Sequence, residues 1–160
     1  MKKVFNLIIV DESGSMSVIR KQAFSGMNET LSTVRAMQEK FPDTEQHVTL
    51  VTFDSDHMKW HFNDALAKDT HDLKWKDYNP CAATPLYDAI GKTVSKLNAQ
   101  VGNDDNVLVT IITDGDFARF NSQFSCPAVF KKPVIHLQLR DTLERLVKSL
   151  LEISILSVLG

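Results

Sequence analysis

The sequence predicts an α/β sandwich built around a mainly parallel sheet, and three observations indicate it. Residues 4–10 and 107–113 are two almost continuously apolar segments rich in β-branched side chains, a pattern typical of strands buried on both faces of a parallel sheet. Each of these segments runs directly into an acidic residue. Segments with helical periodicity alternate with the strands along the chain, which is the order that α/β folds require.

The remaining elements of the first two thirds follow in order. Residues 17–40 repeat apolar side chains at three- and four-residue steps, which predicts an amphipathic helix that ends before a Phe-Pro pair. Residues 47–53 predict a second strand. After an Asp-Ser-Asp turn, residues 57–62 predict its hairpin partner at the sheet edge. Residues 84–98 predict a helix that opens with a Thr-Pro pair.

The C-terminal part is less regular. Three phenylalanines between residues 117 and 124 have helical spacing and are interpreted as core. Residues 133–139 predict a strand, a helix is expected from Asp141, and residues 153–159 predict a last strand.

Composition limits the classes of protein to consider. With 160 residues, 43% of them apolar and a net charge of −2, the chain is expected to form one globular domain. No cluster of Lys and Arg predicts a nucleic-acid or membrane partner. Cys81 and Cys126 have no paired spacing, which favours a reducing compartment. The first apolar segment is too short for a signal peptide or a membrane span, so we expect a cytoplasmic protein.

Oxygen-bearing side chains gather where the two buried strands end. Asp11 and Asp114 follow the two strands, and the carboxyl ends of parallel strands meet at one edge of the sheet. Ser13 and Ser15 follow at alternate positions, and Thr84 brings a hydroxyl from the start of a helix. An all-oxygen set selects Mg²⁺ or Mn²⁺, with Ca²⁺ also compatible, rather than zinc. Since only two of the five side chains are charged, the cation keeps positive charge that a partner's carboxylate can neutralise.

Three segments that occur in this order resemble the metal-ion-dependent adhesion site of the von Willebrand factor A domain. They read Asp-Glu-Ser-Gly-Ser at 11–15, Ala-Thr-Pro-Leu-Tyr-Asp-Ala-Ile at 83–90 and Thr-Asp-Gly-Asp at 113–116. The sequence looks most like the stand-alone bacterial cytoplasmic members of that family. The resemblance implies a Rossmann-like three-layer α/β/α sandwich with one antiparallel edge strand, which residues 57–62 would provide.

The resemblance also assigns roles to the site residues. It implies that Ser13, Ser15 and Thr84 coordinate the ion directly, and that Asp11 and Asp114 bind it directly or through water. The implied function is a non-enzymatic module that captures an acidic residue of a protein partner. Residues 1–160 are expected to form a single domain of this type, well matched over 1–115 and divergent or shortened over 116–160.

Two other functions remain open. In a Mg²⁺-dependent phosphotransfer enzyme, Asp11 would act as the nucleophile. Such chemistry calls for a second acid at position 13 and for a lysine directly after residues 107–113. The sequence has Ser13 at the first position and no lysine directly after that strand. A metal-free scaffold would keep the fold and would not be stabilised by divalent ions. Among the neighbours, Glu12 is expected to be solvated, and Cys81 is interpreted as a small packing residue.

Overall fold

A five-stranded sheet organises the protein. The computed structural model describes residues 1–83 and 86–114 and a strand over residues 133–139, with the backbone alone at residue 87 and in that strand. The strand order is β3-β2-β1-β4-β5, and every neighbouring pair is parallel except β2 and β3, which are antiparallel. The strands are β1 (Lys2–Asp11), β2 (Thr44–Phe53), β3 (Met58–Leu66), β4 (Asn106–Thr113) and β5 (Pro133–Leu139).

Among the described residues, one α-helix packs on each face of the sheet. Along β1, Ile8 and Val10 pack in one hydrophobic cluster, whereas Leu7 and Ile9 pack in another, because successive side chains of a strand point to opposite faces. Helix α1 (Arg20–Lys40) contributes to the first cluster and helix α2 (Leu86–Asn98) to the second. The predicted Rossmann-like three-layer α/β/α sandwich, with its antiparallel edge strand, is therefore confirmed.

The strand order places a switch point beside β1. From β1 the chain crosses to β2 and β3 on one side, and then to β4 and β5 on the other. Crossover connections of one hand that run in opposite directions across a sheet put their helices on opposite faces, as found here. Open α/β sheets bind ligands at such a point, beyond the carboxyl ends of the strands, and these two strands end at Asp11 and Thr113.

Several element boundaries differ from the sequence prediction, including the start of β2 at Thr44 rather than at residue 47, and two of the differences have a local structural cause. The α-helix begins at Arg20 rather than at residue 17, because Gly14–Ile19 form a 3₁₀ turn in which the Ser17 hydroxyl donates to the Gly14 carbonyl. Strand β3 continues beyond residue 62 to Leu66, through an irregularity of the β2–β3 register. Asp64 adopts a left-handed backbone there, and its N–H donates to the Thr49 hydroxyl.

The strand predicted over residues 133–139 is present as β5. The three phenylalanines between residues 117 and 124, the helix from Asp141 and the strand over residues 153–159 lie outside the described residues. That residues 1–160 form one domain stays a prediction. Of the helices described, none is long and apolar enough to cross a membrane.

Two methionines on α1, one buried and one exposed, allow a test of how this helix packs against the sheet. Met27 is fully buried between α1 and the sheet, whereas Met37 on the same helix is 44% exposed. We expect Met27→Ala to lower the free energy of unfolding by about 2–5 kcal/mol, because it removes buried apolar surface and leaves a cavity. Urea denaturation measures this change. Met37→Ala is the control, with an expected effect within about 0.5 kcal/mol; equal effects would contradict the described packing of α1.

Candidate metal centre

Strand β1 ends on a completely buried carboxylate. Asp11 has no exposed surface, its Oδ1 accepts the Ser13 N–H at 2.8 Å, and its Oδ2 accepts the Thr113 hydroxyl at 2.9 Å. Burial is the main influence on Asp11 and raises its pKa; the Ser13 and Thr113 hydrogen bonds oppose this rise, and the negative charge of Asp114 adds to it. Within the described part of the chain, no basic side chain forms an ion pair with Asp11.

The two serines lie beside this carboxylate with their hydroxyls together. The Oγ atoms of Ser13 and Ser15 are 3.2 Å apart, and Ser13 is almost fully buried while Ser15 is half-buried. Ser13 has an extended backbone and Ser15 lies in the 3₁₀ turn that follows it, so the change from extended chain to turn brings the two hydroxyls together. The N–H that Ser13 donates to Asp11 fixes the loop against the carboxylate.

The structure describes four of the five predicted ligands. Asp114 directly follows β4, is half-buried, and lies close enough to Asp11 for its charge to affect the Asp11 pKa. Thr84 lies outside the described residues. Its neighbour Ala83 is held by Ser55, whose N–H donates to the Ala83 carbonyl at 2.9 Å and whose hydroxyl accepts the Ala83 N–H.

This donor set fits a hard divalent cation. An ionised carboxylate has about four acceptor positions, so the two hydrogen bonds to Asp11 leave its oxygens with further capacity. Two carboxylates and two neutral hydroxyls gather there, and all offer oxygen. That these particular side chains ligate an ion stays a prediction.

The expectation that Glu12 is solvated is wrong, because the residue is buried. Its side chain is about 1% exposed, and its Oε1 accepts both the Lys59 ammonium at 2.9 Å and the Asn79 N–H at 2.6 Å. Its other oxygen, Oε2, is buried and accepts no hydrogen bond from the described residues. Because successive residues of an extended chain point to opposite sides, Glu12 reaches an environment different from that of Asp11.

A segment 67 residues farther along the chain closes over the same loop. The buried hydroxyl of Tyr78 donates to the Asp11 carbonyl at 2.7 Å. Burial raises the pKa of this phenol, as do the nearby charges of Asp11, Glu12 and Asp114. On the other side, the Arg20 guanidinium donates to the Tyr78 carbonyl and fixes the segment to the start of α1.

A second group of possible ligands lies at the β2–β3 turn and was not predicted from the sequence. Oxygen and nitrogen atoms of Asp54, Asp56 and His57 lie within 4.8 Å of one another. The Asp54 carboxylate already accepts the backbone N–H groups of Asp56 and His57, both at 2.7 Å, which is the structure of the predicted Asp-Ser-Asp turn. Burial opposes ionisation of Asp54, but these bonds and the Cys81 thiol outweigh it and lower its pKa. The turn thus accounts for this cluster without an ion.

Cys81 is exposed, so its interpretation as a packing residue is wrong. Its thiol donates to Asp54 Oδ2 at 3.3 Å, and its backbone N–H donates to the Glu12 carbonyl at 2.8 Å. The residue therefore links the β2–β3 turn to the Asp11 loop. No local sequence signal indicates this link, because it joins three separate parts of the chain.

Comparison with known proteins identifies the architecture. No family model and no curated protein matches the sequence. Over 87% of its length the structure matches VWA2, an ArnB paralog from Sulfolobus acidocaldarius, with a TM-score of 0.55 and 14% identity. The chain has a von Willebrand A-like fold.

A second similar structure is proximal thread matrix protein 1 from the mussel byssus, which matches 88% of the chain with a TM-score of 0.52 and 18% identity. The matched regions cover only 34% and 36% of these two solved chains, so this chain spans about a third of their length. At such identities the likeness concerns the von Willebrand A-like fold and not the ligands of either protein.

The Tyr78 hydroxyl provides a test of how the segment is held over the site. We expect Tyr78→Phe to lower the free energy of unfolding by about 1 kcal/mol, because it removes a buried hydrogen bond to the Asp11 carbonyl and keeps the ring. Thr33→Val is the control, since it deletes an exposed hydroxyl on α1. Urea denaturation compares the two variants; a Tyr78→Phe variant as stable as wild type would contradict the described contact.

Proposed function

We propose that this protein is a non-enzymatic binding module whose von Willebrand A-like fold holds a divalent cation and, through it, the carboxylate of a protein partner. The ligands are Asp11, Ser13, Ser15, Thr84 and Asp114, and the ion is Mg²⁺ or Mn²⁺, with Ca²⁺ also compatible. The observation that carries this proposal is that Asp11 is fully buried, lies near Asp114, and itself forms no ion pair with a basic side chain of the described residues.

The energetics of burial support a cation at this place. An ionised carboxylate that leaves water without a counter-charge costs several kcal/mol, and a second carboxylate nearby adds repulsion. The hydrogen bonds from Ser13 and Thr113 offset part of this cost. A divalent cation shared by Asp11 and Asp114 would offset the remainder and turn their repulsion into attraction.

The partner follows from the charge of the ligands. Two carboxylates balance a divalent ion only if both ligate it fully, whereas the hydroxyls of Ser13, Ser15 and Thr84 contribute no charge. The ion therefore stays electrophilic towards a further oxygen ligand, and an acidic side chain on a protein is the partner we propose. Domains with a von Willebrand A-like fold commonly mediate protein interactions. A bacterial cytoplasmic setting completes the proposal, based on the sequence resemblance and the cysteine usage.

The surroundings of Asp11 favour binding over catalysis. A carboxylate nucleophile has to contact the phosphorus atom of its substrate directly, but Asp11 has no exposed surface. Position 13, where phosphotransfer of this kind calls for a second acid, carries the hydroxyl that faces Ser15. These contacts support the proposal that the protein is not an enzyme.

Thermal unfolding with EDTA, Mg²⁺, Mn²⁺ or Ca²⁺ tests the metal centre. For wild type we expect the midpoint to rise with ion concentration, since a ligand that binds only the folded state adds about 2.7 kcal/mol at a hundred times its dissociation constant. Asp11→Ala should abolish the rise and still fold, because the loss of its repulsion with Asp114 offsets the lost cation.

Asp56→Ala is the matched control, since it removes a carboxylate from the other cluster, at the β2–β3 turn. It should respond to ions as wild type does. Loss of the response in Asp56→Ala but not in Asp11→Ala would place the ion at the turn and contradict the proposed centre. No response in wild type at millimolar ion would favour the metal-free scaffold.

Water proton relaxation by bound Mn²⁺ tests the partner's carboxylate. A peptide with a central Glu should lower the relaxation rate when it is titrated into the Mn²⁺-loaded protein, because its carboxylate displaces water from the ion. The same peptide with Gln in place of Glu should have no effect. Equal responses to both peptides, or to neither, would show that the ion offers no position to a partner's acid.

A further inference from the structure

Four hydrogen bonds join the loop that carries Asp11, Ser13 and Ser15 to the segment that leads to Thr84. Asn79 N–H donates to the Glu12 carboxylate, and Cys81 N–H donates to the Glu12 carbonyl. The other two are Tyr78 Oη to the Asp11 carbonyl, at 2.7 Å, and Gly14 N–H to the Ala82 carbonyl, at 2.9 Å. Hydrogen bonds at several successive residues thus connect the loop with Ser13 and Ser15 to the segment that precedes Thr84, the third proposed hydroxyl ligand.

Glu12 is the centre of this junction. It takes part in two of the four bonds, and its own N–H donates to the Phe53 carbonyl at the end of β2. Its carboxylate also accepts the Lys59 ammonium from β3 at 2.9 Å, and the Lys59 side chain is 44% exposed. One buried acid therefore connects β2, β3, the Asp11 loop and the segment over residues 79–81.

The buried Glu12 carboxylate is stabilised by an ion pair and a hydrogen bond. A buried carboxylate is costly unless it is paired and hydrogen-bonded, and Lys59 and Asn79 supply both kinds of contact on Oε1. Because Lys59 balances this charge, Glu12 does not require the cation that Asp11 requires. Glu12 and Asp11 are therefore expected to have different roles, although they are adjacent in the chain.

We infer that Glu12 is a positioning residue of the proposed metal centre: its carboxylate binds the Asn79 N–H and thereby holds the segment over residues 79–81, which leads along the chain to Thr84. This inference rests on the proposed function. The hydrogen-bond acceptor at Oε1 does the positioning, since it is the atom that meets the Asn79 N–H, while the charge mainly matches Lys59. Residues that orient ligands without touching the ion affect metal affinity by about 10–100-fold.

Two substitutions separate positioning from stability. Glu12→Ala removes the acceptor, and we expect the Mn²⁺ dissociation constant, measured by electron paramagnetic resonance of the free ion, to rise about tenfold or more. Glu12→Gln keeps an acceptor oxygen for Asn79 but places an amide at the buried Oε2 position. It should lower the thermal midpoint in EDTA and keep a dissociation constant near that of wild type.

Asp72→Asn is the matched control, because it breaks the ion pair with Arg35 in the same long connection but away from residues 79–81. It should leave Mn²⁺ affinity unchanged. If both Glu12 variants lower the thermal midpoint and neither weakens Mn²⁺ binding, Glu12 is only structural and the inference is overturned. Equal weakening by Asp72→Asn would overturn it as well.

Amide hydrogen exchange without metal separates this inference from the proposed function. Glu12→Ala should accelerate exchange at Cys81 and Gly14, whose N–H groups close the junction. Unchanged exchange would overturn the positioning role whatever the ion does. If wild type binds no Mn²⁺ while exchange is accelerated, the proposed metal centre fails and Glu12 fixes the segment for a different purpose.

Discussion

The central strand β1 ends in a buried carboxylate, Asp11, and the arrangement of the neighbouring loops follows from that burial. Strand β1 is paired on both edges and covered by a helix on each face, so its last side chain, Asp11, lies in a place that water does not reach. A carboxylate there raises the free energy of the folded state unless something positive or hydrogen-bonding meets it. The hydrogen bonds from Ser13 and Thr113 to Asp11 meet part of that requirement.

Two adjacent acids meet the requirement in different ways. Glu12 is neutralised within the protein by Lys59 and is held by the Asn79 N–H. Asp11 receives only neutral donors from the described residues, and Asp114 stands near it with the same sign of charge. This contrast is the physical reason for proposing that Asp11 ligates a cation and that Glu12 positions the neighbouring segment.

The strand order explains why these groups converge. The chain leaves β1 towards β2 and returns on the other side to β4, so the connections diverge at the strand ends, which is where open α/β sheets bind ligands. Loop residues 12–15 and 78–83 meet beyond the end of β1, and the hydrogen bonds between them give the loops a fixed place. The strand order thus brings the loops together, while the loop sequence supplies their chemistry.

The sequence by itself determined the features that depend on neighbouring residues. Apolar runs marked β1 and β4, helical periodicity marked α1 and α2, and the spacing of Ser13 and Ser15 after Asp11 marked the hydroxyls that lie together at the end of β1. Only the tertiary structure decided the burial of Glu12 and the contact of Tyr78 with Asp11. Both depend on partners 67 residues away, and the local pattern there, which is polar and irregular, carries no period from which such a contact can be inferred.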